Sequence, residues 1–101
     1  MTPSMRILWT VNIPLSSACQ ALGLPDSPFG GWLSTMILRL AKVPGVQLGV
    51  AMRAPVQDVR SVDVDGIRYY ALPQVGKGGL DARAEDCAQV LADFKPDLLH
   101  A

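Results

Sequence analysis

At 101 residues, half of them apolar, the chain is one domain or part of one, and it carries more apolar surface than a small domain needs for its own core. Nine Lys and Arg balance nine Asp and Glu, and no basic block or aromatic ladder stands out, which argues against a nucleic-acid surface. Cys19 and Cys87 fit no Cys-x-x-Cys or Cys/His ligand spacing, so the sequence predicts neither disulfide nor zinc, but two small buried hydrophobes in a reducing compartment.

Residues 5 to 11 form a nearly continuous apolar run after Arg6, the pattern of a strand covered on both faces of a parallel sheet, and the expectation is a central strand. Asn12 and Pro14 end it. The run is too short to span a bilayer and lacks the charged front and cleavage site of a signal peptide, which predicts a cytoplasmic protein, with peripheral docking on a membrane left open.

Residues 13 to 29 make a long connection rich in Pro, Ser and Gly. Within it Ser17 and Gln20 have capping-box spacing, and Gly23 is placed to stop a turn or two of helix. Long loops above strand ends are where open α/β sheets bind ligands, so this one is expected to touch substrate or partner. Next comes Ser27-Pro28-Phe29-Gly30-Gly31-Trp32, a glycine pair at the mouth of a helix whose Leu33, Met36, Ile37, Leu40 and Ala41 fall on one face. Backbone N–H groups at such a helix start favour an anion. Val43-Pro44-Gly45 ends the helix, and Val46 to Met52 reads as a second strand, so a right-handed parallel crossover is expected.

Asp65-Gly66 sits between Ser61–Val64 and Ile67–Leu72, the two-residue signature of a tight hairpin. The second arm is expected near the sheet edge, and the first as a strand or a short flap. Asp63 and Asp65 read as a solvated hairpin end rather than a catalytic carboxylate pair. Gly76-Lys77-Gly78 lacks the spacing of a phosphate loop and reads as a solvated linker. Asp81 can cap a helix from about Ala82 to Phe94 with Ala84, Cys87, Val90, Leu91 and Phe94 inward, and Arg83, Glu85, Asp86, Gln89 and Asp93 toward water. Lys95-Pro96-Asp97 stops it, and Leu98-Leu99-His100-Ala101 begins another strand. A domain seldom stops inside a buried strand, and the expectation is a portion of a longer protein.

Taken in order, the first strand ending in Asn-x-Pro, the Gly-Gly opening an amphipathic helix, the Asp-Gly hairpin followed by Tyr70-Ala71-Leu72-Pro73, and a helix leading into Lys95-Pro96-Asp97-Leu98-Leu99-His100-Ala101 resemble the N-terminal domain of family-4 glycosyltransferases of the GT-B fold. The likeness covers nearly the whole chain, and Pro96-Asp97-Leu98-Leu99-His100 is its most telling piece. It implies an α/β, Rossmann-like three-layer α/β/α domain with a mainly parallel sheet, the acceptor side of a two-domain enzyme. The missing C-terminal domain would hold most of the nucleotide diphosphate sugar. The implied reaction passes a sugar to an acceptor, in cell-envelope or exopolysaccharide synthesis, with no cofactor and no required metal, and the fragment alone would be inactive.

The resemblance also implies site residues. Gly30 and Gly31 match the glycine loop that approaches the donor diphosphate. Asn12, Pro14, Ser27, Phe29, Trp32 and His100 would line the acceptor pocket or cleft. His100 matches the first histidine of a His-x-His pair whose second member falls past Ala101, so no catalytic role is carried to it. Each position has a plainer reading: Gly30-Gly31 as a tight turn for close packing, Phe29 and Trp32 as buried anchors rather than sugar-stacking rings, His100 as a hydrogen-bonded strand end.

Two rivals stand beside this reading. A dinucleotide-binding oxidoreductase needs G-x-G-x-x-G after strand one and an acidic residue ending strand two; here the first strand runs into Asn12-Ile13-Pro14, and the second ends in Met52-Arg53. The other is a non-catalytic α/β binding module, for which the apolar excess would mark a partner surface.

Overall fold

The computed structural model describes residues 5–11, 16–23, 31–76 and 81–100. Among them are five strands, β1 (Met5–Val11), β2 (Val46–Ala54), β3 (Arg60–Val64), β4 (Ile67–Pro73) and β5 (Leu98–His100), and three helices, α1 (Ser16–Leu22), α2 (Gly31–Ala41) and α3 (Ala84–Phe94). The strands form one mixed sheet in the order β3-β4-β2-β1-β5. β1, β2, β4 and β5 run parallel, and only β3 is antiparallel, to β4.

The apolar run of residues 5–11 is a strand with those bounds and has neighbours on both sides, but β2 holds the middle of the sheet and β1 lies between it and β5. An apolar run reports burial, and burial is shared by every interior strand. The β1–β2 crossover passes through α2 and closes at the amino edge, where the Met5 amide donates to the Gly45 carbonyl at 2.6 Å. The hairpin turn takes positive φ at both Asp65 (53°) and Gly66 (78°), the backbone of the primed turn that a two-residue connection prefers. The first arm is a true edge strand, and the second pairs inward with β2.

Side chains alternate along the strands, and the core divides accordingly. Val11, Leu48, Val50, Met52, Ile67, Tyr69 and Ala71 pack with Ala18 and Cys19 of α1 and Ile37 of α2. The intervening positions Leu8, Ala51, Tyr70 and Leu72 pack with Val90 and Phe94 of α3. Gly49 belongs to this second face, and its missing side chain gives room to the Phe94 ring.

Several expectations are corrected. Asp81 does not cap α3: it exchanges backbone hydrogen bonds with Val75, both 3.0 Å, and Arg83 occupies the cap position without a side-chain cap bond. Asp86, expected toward water, is 5% exposed, while Ala84, Cys87 and Leu91, expected inward, are exposed. The Arg83 guanidinium grips the Asp86 carboxylate with two bonds, Nε to Oδ2 at 2.7 Å and Nη2 to Oδ1 at 3.2 Å, and this pairing lets an acid sit in the first turn against the sheet. Of the two cysteines only Cys19 is buried. On α2, Ile37 is buried and Leu40 and Ala41 are half-buried, but Met36 is exposed.

Candidate functional site

Four parallel strands end on one edge of the sheet, at Val11, Ala54, Pro73 and His100. The carboxyl edge of an open α/β sheet is where its crossovers diverge and ligands bind. α2 must return from this edge to the amino edge. Its 11 residues rise about 1.5 Å each, roughly the length of five strand residues, so Gly31 begins the helix toward the carboxyl side while Ala41 lies near the start of β2.

Of the residues singled out from sequence, Asn12, Pro14, Ser27, Phe29 and Gly30 lie outside the described residues, as do the side chain of Trp32 and residues 77–80. Gly31 and Trp32 are the first two positions of α2. His100 ends β5 opposite Trp9 in the parallel register, exposed, with its ring edge-on to the Trp9 ring at 4.8 Å between centroids. Its carbonyl accepts from Thr10 Oγ1 at 3.5 Å. Trp9 packs against the core that holds α1 and α2, so His100 and the α2 start share one face of the sheet.

The other face of the same edge holds a feature the sequence did not announce. Between α3 and strands β1, β2, β4 and β5 lies a cavity of about 130 Å3, lined by Leu8, Ala51, Leu72, Val90, Leu91 and Leu99 together with Thr10 and Arg53. Arg53 donates from Nη1 to the Val11 carbonyl at 3.1 Å, joining the ends of β1 and β2. Its Nε is buried without a hydrogen-bond partner, and among the described residues no carboxylate pairs with it. The signal was a charge directly after the second apolar run, where Met52-Arg53 reads as the end of the strand and the start of a loop; β2 instead runs on to Ala54 and carries Arg53 within it.

A second polar cluster lies farther along the α3 face, around a cavity of about 170 Å3. Here the groups satisfy one another. Arg68 donates to Asp63 at 3.1 Å and to Asp93 at 3.5 Å, and Tyr70 donates its hydroxyl to Asp93 Oδ2 at 2.6 Å. Burial, then the bond to Asp93, pushes the Tyr70 phenol up, with Arg68 opposing. The Arg68 guanidinium is also raised, first by its interaction with Tyr70. This arrangement clamps α3 to β4.

Among the described residues no group of three His, Cys, Asp or Glu side chains could hold a metal ion, and no helix is long and apolar enough to cross a membrane. No family model, no curated protein and no solved structure matches the chain.

Proposed function

We propose that the chain is the N-terminal, acceptor-side part of a glycosyltransferase of the GT-B type, with a three-layer Rossmann-like arrangement. The full enzyme would transfer a sugar from a nucleotide diphosphate sugar to an acceptor. The observation that carries the reading is the common carboxyl edge of β1, β2, β4 and β5, beside which α2 opens with Gly31. The residues 96–100, the most telling part of the resemblance, include β5 at that edge, with His100 on the α2 side.

In this reading the first amides of α2 face the donor diphosphate, and Gly31 leaves them open because it has no Cβ. N–H groups fixed toward the developing charge stabilise the departing diphosphate without reorganisation. His100 lines the cleft and orders the β5 end through Trp9, without acting as acid or base. Leu98 and Leu99, on opposite faces of β5, are 51% and 54% exposed, and further sheet and helix of the same enzyme would cover them. The acceptor is a sugar, a lipid-linked glycan or a small molecule of the cell envelope, reached from the cytoplasmic side with loose membrane association.

The test titrates the full-length protein that contains this chain with nucleoside diphosphates, by calorimetry, and repeats the titration with Gly31→Val. The branched side chain crowds the helix start and is expected to weaken binding at least tenfold and to slow sugar transfer. Unchanged affinity and turnover would remove the α2 start from the mechanism. A second reading, a non-catalytic binding module, is favoured by exposed apolar side chains such as Leu98, Leu99 and Met36. It gains if the full-length protein binds no nucleoside diphosphate.

A further inference from the structure

Arg53 stands at the end of a strand whose other residues are apolar apart from Gln47, in a place where a charge costs stability unless it is paired. Nη1 is engaged by the Val11 carbonyl, a bond that fixes the plane of the guanidinium. A guanidinium is the group that grips the oxygens of a carboxylate or phosphate, and among the described residues no carboxylate pairs with this one. Its Nε is buried and has no protein acceptor among the described residues, an exception in folded proteins that calls for an explanation. Beneath it the cavity is almost wholly apolar, walled by Leu8, Ala51, Leu72, Val90 and Leu91. At about 130 Å3 it is close to the size of apolar cavities, roughly 150 Å3, that take up benzene. An apolar hollow with one guanidinium at its rim is complementary to an equally two-sided ligand.

We propose that this cavity binds a small oxyanion joined to an apolar group, the charge of the Arg53 guanidinium holding the anion while an aryl or short alkyl group fills the space between α3 and the sheet. The site lies on the face of the sheet opposite α2, and it does not rest on the glycosyltransferase reading.

The test uses phenyl phosphate and benzoate as probes of the two oxyanions, with inorganic phosphate and benzene as the separated halves. Binding to the intact protein is followed by amide chemical shifts and calorimetry. At least one of the two joined probes is expected to bind ten times more tightly than either half, with shifts at Thr10, Arg53, Val90 and Leu91. Arg53→Met keeps the aliphatic stem and is expected to lose tenfold or more in affinity for the joined probe. Arg53→Lys keeps the charge without the fork and should lose several-fold. Cys87→Met, which narrows the cavity from α3, should weaken the joined probe while leaving inorganic phosphate unchanged. Folding of each variant is checked by circular dichroism, and Arg53→Lys serves if Arg53→Met does not fold. Equal affinity of wild type and the folded Arg53 variants, shifts confined to other surfaces, or no binding of either joined probe would overturn the proposal.

Discussion

The ring of Phe94 lies directly over Gly49, so close that a Cβ on Gly49 would stand 2.7 Å from Phe94 Cε1 and 2.9 Å from Cζ. The ring has little room to retreat. It is 4% exposed, the Arg6 guanidinium covers it at 4.3 Å from the centroid, and Tyr70 meets it edge-on at 6.3 Å. Gly49→Ala would ordinarily strengthen a strand by about 0.5–1 kcal/mol through lost backbone freedom. Overpacking here is expected to outweigh that, for a net loss of about 1–2 kcal/mol. The urea midpoint of the variant checks it, and a midpoint at or above wild type would mean that α3 shifts without cost.

Gly66 makes the opposite case. Nothing lies within 4 Å of a Cβ built there, but its φ is +78°. Gly66→Ala therefore carries only a backbone cost, about 1 kcal/mol, and Gly66→Asn, which tolerates the left-handed region, is expected to cost less. If Ala and Asn prove equal by chemical denaturation, the turn has rearranged rather than kept its primed form.

The parts of the fold legible in sequence are those whose signal is local. The run from Ile7 to Val11, the breakers at Pro44 and Gly45 and the Asp65-Gly66 pair each specify a strand or turn by their own residues. Sheet order is not local, and apolarity alone did not tell β1 from β2. On α3 the apolar stripe was the wrong guide. The buried line of the helix runs through Asp86, Val90 and Phe94, spaced i, i+4 and i+8, and Arg83 makes the burial of Asp86 affordable. Cys87 and Leu91 turn instead to the cavity below Arg53. At the candidate site the helix start and the strand ends were readable, whereas Arg53 was not, because its meaning depends on a cavity formed by four strands and a helix.

Tyr70 gives the fold a pH dependence with a definite sign. Its phenol titrates above the ordinary value of about 10 in the folded protein, because burial and the bond to Asp93 both favour the neutral form. Below pH ~10 the group is protonated folded or unfolded, and its contribution is fully present. As the pH rises further the unfolded chain ionises first, and stability falls until the folded value is passed. Tyr70→Phe is expected to lose about 1 kcal/mol at neutral pH with the bond to Asp93, and to show a shallower decline above pH ~10. Denaturation curves at pH 8 to 11 compare the two, and parallel declines would remove Tyr70 as the source.

Arg6 ties three elements together at the amino edge, away from both candidate ligand sites. Its Nε donates to the Phe94 carbonyl at 2.7 Å, its Nη1 to the Gln47 side-chain oxygen, and its plane lies over the Phe94 ring. Its backbone amide donates to Asp97 Oδ2 at 2.9 Å, and its carbonyl accepts from the Asp97 amide at 2.7 Å. α3 ends here in a left-handed Lys95 (φ 53°), with carbonyls at the negative pole of the helix, where a cation is favourable. Arg6→Met keeps the stem but loses the charged bonds and the cation–π contact, an expected cost of about 2 kcal/mol. Arg6→Lys keeps the charge without the planar fork and should lose about half as much. Removing the ring as well, in Phe94→Leu, is expected to make the Arg6 losses smaller than in wild type, since part of what Arg6 contributes is the contact with that ring. Because the amino edge lies at the far end of the strands from Arg53, phenyl phosphate affinity should be unchanged in Arg6→Lys. Additive losses in the double variant would show that the Arg6 guanidinium and the Phe94 ring act independently.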